Sequence, residues 1–272
     1  DPAHRGRFDY PGAVLSALTL GGVTYALIGA GTDPARPDVV ASAVIGVAAG
    51  AAFVVRERRA RDPMLPPRLF RDQQFTGANL VTLFVYGALG GGMLFLVLQL
   101  QTVLGYDATA AGSALLPSIL IITVLSPRAG ALAQRIGPRV PMTIGPLIAA
   151  AGTLWLSGVD GGAPYIVEVL PGSLLQGLGM ATTVAPLTAT VLGAAPDALA
   201  GIASGVNNAV ARAAQLLAVA ALPVAVGLSG NDYTDPAAFT SGFRMALMVC
   251  AALFTAGGLI SWFTIRNDVL TA

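Results

Sequence analysis

The stretch 73–106, QQFTGANLVTLFVYGALGGGMLFLVLQLQTVLGY, contains no charged residue. About 20 helical residues cross the roughly 30 Å hydrocarbon core of a bilayer, and a charge placed there costs several kcal/mol. A run this long without charge therefore reads as a membrane-spanning helix. Working outward, further uncharged runs cover 10–32, 39–55, 108–127, 140–159, 169–196, 213–231 and 245–265, with 198–211 also uncharged ahead of Arg212. They give eight predicted helices, near 11–30, 39–56, 77–100, 109–128, 140–158, 166–191, 202–227 and 243–265. The second is the shortest. A membrane β-barrel needs alternating segments of about ten residues, whereas these runs are continuously apolar. The reading is an all-α polytopic membrane protein.

Composition agrees. Of 272 residues, 55% are apolar and 11% charged, and the mean hydropathy is +0.73, values that exclude a soluble enzyme of this size. Glycine at 33 and proline at 18, without a collagen-like period, are frequencies that membrane helices tolerate. The net charge of +1 gives no support for nucleic-acid binding, and all 15 basic residues are arginine. The one cysteine, Cys250, and the one histidine, His4, rule out a disulfide framework, a multi-histidine metal centre and a histidine triad within this chain. No cofactor, metal ion or catalytic residue is expected.

Loop charges set the expected topology. Arg5 and Arg7, then Arg56, Arg58, Arg59, Arg61, Arg68 and Arg71, then Arg128, Arg135 and Arg139, and finally Arg266 fall on one side, twelve of the fifteen arginines. The opposite connections carry Arg36 with Asp33, Asp38, Asp107, Asp160, Asp232 and Asp235, and Arg244 at a helix edge. The positive-inside rule places both ends of the chain in the cytoplasm. The first span is too long for a signal-peptide core and seven more follow it. No initiating methionine precedes it, so the expectation is that the chain begins inside a longer polypeptide. The segment RERRARDPMLPPRLFRDQQF reads as a cytoplasmic linker or as a basic stretch that meets anionic lipid. Its prolines disfavour a continuous helix. The expected units are a helix pair at 1–60, a basic linker at 61–74 and a six-helix bundle at 75–272.

Between the fourth and fifth spans lies SPRAGALAQRIGPR, residues 126–139. Its residues suit a basic turn that sets topology or holds helix ends. The stretch resembles the loop motif of the major facilitator superfamily, G-x-L-A-D-R-x-G-x-R, with Gly130, Leu132, Ala133, Arg135, Gly137 and Arg139 in register. Gln134 stands where that motif has an acid. FDYPGAVLSALTLGGVTYAL, DPMLPPRLFRDQQFTGANLVTLFVYGALGGGMLFLVLQLQTVLGYDATAAGSALLP and GIASGVNNAVARAAQLLAVA are similar to the fourteen-span drug:proton antiporter family. The resemblance implies a major-facilitator-type C-terminal six-helix bundle preceded by two additional transmembrane helices. It also implies a missing N-terminal bundle in the same polypeptide, and a bacterial plasma (inner) membrane location. The implied partners are protons, amphipathic or cationic small molecules and membrane lipids.

Candidate residues each carry two readings. Gly87 and Gly91 in GALGGG allow close helix packing or line a ligand. Gln99 and Gln101 face a vestibule or an interface, and Tyr106 and Asp107 read as an interface anchor and a loop charge. Pro117 and Pro186 read as kinks that permit gating, or as tolerated irregularities. Glu168 is a weak proton-coupling candidate, or a solvated loop acid. Asn207, Asn208, Arg212 and Gln215 cannot face lipid cheaply, and form either a hydrogen-bond network or part of a pathway. Of these, Asn208, Arg212 and Gln215 share one helical face. Gly201 and Gly205 suit close packing, and Trp155, Trp262, Tyr165 and Tyr233 suit a membrane interface. The resemblance implies proton-driven export of drugs or amphipathic metabolites. The alternatives are a lipid exporter or uniporter of the same superfamily, and a non-transporting membrane scaffold. An intramembrane enzyme lacks a catalytic constellation.

Overall fold

The computed structural model describes residues 9–60, 65, 68–162 and 164–267. His4, Arg5, Arg7, Arg61 and most of the PMLPP segment lie outside the described residues. Ten helices are present among those described: α1 (Tyr10–Ala30), α2 (Pro37–Arg59), α3 (Gln73–Thr102), α4 (Ala108–Ser113), α5 (Leu116–Ile136), α6 (Arg139–Leu156), α7 (Tyr165–Glu168), α8 (Leu170–Gly193), α9 (Ala200–Ala225) and α10 (Pro236–Thr264). Among the described residues, seven segments are long and apolar enough to cross a membrane: α1, α2, α3, Ala108–Ile136, Tyr165–Gly193, Asp197–Ala225 and α10. The protein is therefore a multi-pass membrane protein. The remaining helix, α6, has 18 residues including Arg139, Pro141 and Pro146. It is not apolar enough to join them by composition, yet it lies packed between α8 and α10.

Helix boundaries differ from expectation in the fourth and the last spans. The fourth span is two helices, α4 and α5, parted at Ala114–Leu115, and the Tyr165 hydroxyl donates to the Ala114 carbonyl at 2.8 Å. A carbonyl freed by a break in a membrane helix needs such a donor. Pro117 consequently sits in the first turn of α5, where its missing N–H removes nothing, and it is not a mid-helix kink. The interior prolines are Pro127, Pro146, Pro186 and Pro223. The last helix starts at Pro236 instead of 243, because the Asp235 carboxylate accepts from the Ala237 and Ala238 N–H groups at 2.9 and 3.3 Å.

In the bundle, α3 packs against both α9 and α10, α10 against α6, α6 against α8, and α8 against α5. Phe75, Phe95, Phe239, Phe243 and Phe254 are fully buried in its core. Lipid tails are as apolar as leucine, so these helices gain little from the hydrophobic effect and are held by close backbone approach. The α6–α8 seam makes this plain. A Cβ on Gly152 would lie 2.5 Å from the Gln176 nitrogen and 2.7 Å from the Gly172 oxygen, and one on Gly145 would lie 2.8 Å from the Gly179 oxygen. Two glycines seven residues apart on each helix thus put the two backbones in contact.

The pair α1–α2 forms a hairpin that meets the bundle mainly where α1 touches α9. A Cβ on Gly22 would lie 2.8 Å from the Gly46 Cα. At the hairpin's open end Arg56 donates to Asp9 from Nη2 at 2.6 Å and from Nε at 3.1 Å, and Asp9 also caps α1 through the Gly12 N–H at 3.0 Å. Those two contacts, the guanidinium first, hold the Asp9 carboxyl below the ordinary carboxylate range. A lowered folded-state pKa means that the stabilisation is present above the unfolded value, about 3.9, and is lost as pH falls through the lowered value. Asp9→Asn is therefore expected to lower the thermal midpoint slightly at neutral pH and to match wild type in strong acid. A constant offset between the two midpoints across that pH range would refute this.

Candidate functional site

The alanine-rich α9 is a good helix former, and it carries four polar residues near its middle. Successive residues turn by about 100° around a helix, so Asn207 and Asn208 point to different neighbours. Asn207 is half-buried against α3, where its Nδ2 donates to Thr82 Oγ1 at 2.6 Å and to Asn79 Oδ1 at 3.3 Å. The network ends on the α3 backbone: Asn79 Nδ2 donates to the Phe75 carbonyl at 2.8 Å and Thr82 Oγ1 to that of Ala78 at 2.9 Å. Asn79 and Thr82 are buried, which leaves Asn207 as a clamp between helices.

Asn208 and Arg212 are exposed on the adjacent stripe of α9. With Gln215 they line a cleft of about 310 Å³ whose other walls are Tyr86 of α3, Thr188 of α8, and Ser204, Asn207 and Ala211 of α9. Arg212 is twelve residues into α9, roughly 18 Å along it, a central depth for a spanning helix. Gly90 makes room beside it: a Cβ there would sit 3.0 Å from the Gln215 side chain. The cleft thus offers amides, hydroxyls, a phenol and one guanidinium, and no carboxylate among the described residues lines it. Sequence reasoning grouped Asn208, Arg212 and Gln215 but missed Tyr86, Thr188 and Ser204, as well as Asn79 and Thr82 of the clamp. The available signal was that each is a polar group within a predominantly apolar segment. Gly201 and Gly205, expected to pack closely, instead face open space on the cleft side, and a Cβ on either would meet nothing within 4 Å.

The glutamines lie elsewhere. Gln99 is thirteen residues beyond Tyr86 on α3, about 20 Å away along the axis, and is fully buried. Its Nε2 donates to the Val159 carbonyl at 2.9 Å and to Thr240 Oγ1 at 3.2 Å. It therefore ties the α6–α7 connection to α10 and does not open on a vestibule, since a buried amide is held where its partners are. Gln101 is exposed in the last turn of α3. Glu168 accepts from the Gly161 N–H at 3.2 Å, which ties the end of α7 to Gly161. Nearby, Arg244 pairs with Asp160 at 3.0 Å, and the Asp107 carboxylate caps α4 through the Ala110 N–H at 2.8 Å.

The motif, expected as a loop, is helical as far as Ile136, and its α5–α6 turn at Gly137 docks onto the end of α10. Gly137 has φ +85°, and the Asn267 side chain occupies the space its Cβ would need. Asn267 Oδ1 accepts from the Arg139 N–H at 3.2 Å. Arg139 Nε donates to the Trp262 carbonyl at 2.8 Å, and its guanidinium lies 4.2 Å from the Trp262 ring centroid, a cation–π contact. Trp262 is thereby a partner of the loop as well as a membrane-exposed aromatic. Gln134 and Arg135 are exposed, and a Cβ on Gly130 would lie 3.2 Å from that of Ala185 on α8. Beside the loop, Gln74 and the Arg266 backbone exchange hydrogen bonds of 2.9 and 3.1 Å, fixing the start of α3 to the end of α10.

A helical membrane bundle with a polar cleft at mid-depth is an architecture that membrane transporters use. The major facilitator superfamily profile matches residues 10–219, and the chain belongs to that family. It is 31% identical over 273 residues to the puromycin resistance protein pur8 of Streptomyces alboniger, covering 96% of this chain and 54% of that protein. It is 34% identical over 205 residues to the multidrug resistance protein Stp of Mycobacterium tuberculosis, covering 75% of this chain and 38% of that protein. The tetracenomycin C resistance and export protein of Streptomyces glaucescens is 29% identical over 229 residues, covering 83% and 42%. The chain thus spans about half or less of the length of these relatives.

Proposed function

We propose that this chain is the C-terminal portion of a fourteen-span drug:proton antiporter, with the additional helix pair at 1–60, the linker at 61–74 and the transporter bundle at 75–272. The observation that carries this reading is the polar cleft on α9. Its stripe of Gly201, Ser204, Gly205, Asn208 and Arg212 is exposed at membrane depth, where polar groups are expensive unless they face a cavity or a partner. A second bundle, supplied by the same polypeptide, closes that face and completes a central pathway. The short span relative to resistance and export proteins supports the same reading. The two bundles rock about the cleft, exporting an amphipathic small molecule as protons enter, in a bacterial plasma membrane with both ends of this chain cytoplasmic.

The test is flux into everted vesicles that contain the full polypeptide, with an imposed proton gradient switched on and off. Expected is accumulation of fluorescent amphiphiles that requires the gradient and falls when Asn208 is replaced by alanine. Folded, inserted protein that moves no member of a chemically varied panel would overturn the drug-export reading in favour of lipid export or scaffolding.

A further inference from the structure

Resting on the transport reading above, we infer that the cleft selects substrates carrying an anionic group, and that Arg212 is the residue that recognises it. Among the described residues, Arg212 is the one charged residue lining the cleft. It is exposed, and none of the three ion pairs among the described residues includes it. A charge at the middle of a spanning helix costs about 2.5–3.5 kcal/mol even on insertion scales. Every other position within a turn of it on α9 is alanine, valine, leucine or an amide, so nothing in the local sequence requires a cation there.

The surroundings fit an anion's needs. Guanidinium presents a planar fork of donors that matches carboxylate, sulfonate or phosphate bidentately. Asn208 and Gln215, one turn to either side, add amide N–H donors on the same stripe, and Tyr86 and Ser204 add hydroxyls. With no acid among the lining residues, a cationic head group would meet a like charge and no counter-charge on these walls. The volume, about 310 Å³, is at the small end for ligand sites. It suits the charged end of a molecule whose apolar remainder extends toward a second bundle.

The experiment uses the full polypeptide and two probes with one aromatic core, a naphthalene sulfonate and a naphthyl trimethylammonium. Binding to the purified protein in detergent is read by fluorescence, and uptake is read in proteoliposomes under a proton gradient. Wild type is expected to bind the sulfonate about tenfold more tightly than the cation. Arg212→Gln is expected to abolish that preference without weakening the cation, and Arg212→Lys to restore part of it. Preference of wild type for the cation overturns the inference. So does an Arg212→Gln variant that weakens both probes equally and lowers the thermal midpoint, because the arginine then serves a structural ion pair. If binding follows charge as stated but neither probe is transported, the selectivity inference stands and the transport reading fails.

Discussion

Gly179→Ala is expected to destabilise the bundle by about 1–3 kcal/mol, although it adds a single methyl group. The new Cβ would lie 2.5 Å from the Gly145 carbonyl oxygen and 2.8 Å from the Ala149 Cα. Those are backbone atoms of α6, so no side chain can rotate away and the helices must move apart. Their separation would also undo contacts around the buried Gln176–Thr153 hydrogen bond, 3.1 Å, which crosses the same seam. Two other glycines calibrate the effect. At Gly91 the first atom met is the terminal methyl of Leu222, which can yield, so Gly91→Ala should cost less. At Gly21 nothing lies within 4 Å, and Gly21→Ala should be neutral or stabilising by up to about 1 kcal/mol through helix propensity. Cys250, buried in α10 and the one cysteine of this chain, provides the readout: its labelling by a thiol-reactive fluorophore reports thermal unfolding in detergent. Equal midpoints for Gly179→Ala and Gly21→Ala would show that the α6–α8 backbones are not in contact.

Asn207→Ala and Asn208→Ala are expected to fail in different ways despite their adjacency. Asn207 holds α9 to Thr82 and Asn79 of α3, and hydrogen bonds between membrane helices contribute about 0.6 kcal/mol on average and up to about 1.7. Its removal should lower the thermal midpoint, and a cycle with Thr82→Val should give a coupling energy within that range. Asn208 is exposed on the cleft. Its loss should leave stability within about 0.5 kcal/mol while reducing substrate accumulation in vesicles. Comparable destabilisation by both variants would mean that the two amides form one structural network and that the cleft boundary is misplaced.

The seven long apolar segments were legible because the signal is local. A charge-free run of the right length is a property of consecutive residues, and the bilayer sets the length. The grouping of Asn208, Arg212 and Gln215 was legible for the same reason, since helical periodicity alone puts them on one stripe. Helix ends were less so: the break at Ala114–Leu115 depends on a Tyr165 hydroxyl fifty-one residues away, and no window of sequence around residue 114 contains it. The early start of α10 was in principle readable from Asp235-Pro236, a cap followed by a first-turn proline, beneath the stronger signal of the apolar run.

The site divided along similar lines. That Gln99, Glu168 and the 207–215 cluster were polar groups in costly places followed from the sequence. Which of them faces a cleft did not, because a buried amide and a pathway amide look alike until their neighbours are known. Gln99 proved to be spent on Val159 and Thr240, Asn207 on α3, and Glu168 on a loop N–H. The chain by itself therefore determined a helical membrane protein and the helices that carry polar groups, through hydrocarbon length and the cost of charge. Tertiary structure decided which helices touch through paired glycines, and which polar residues are clamps and which line the cleft. Those outcomes depend on contacts between residues far apart in sequence, where a single methyl or a turn of 100° changes the neighbour.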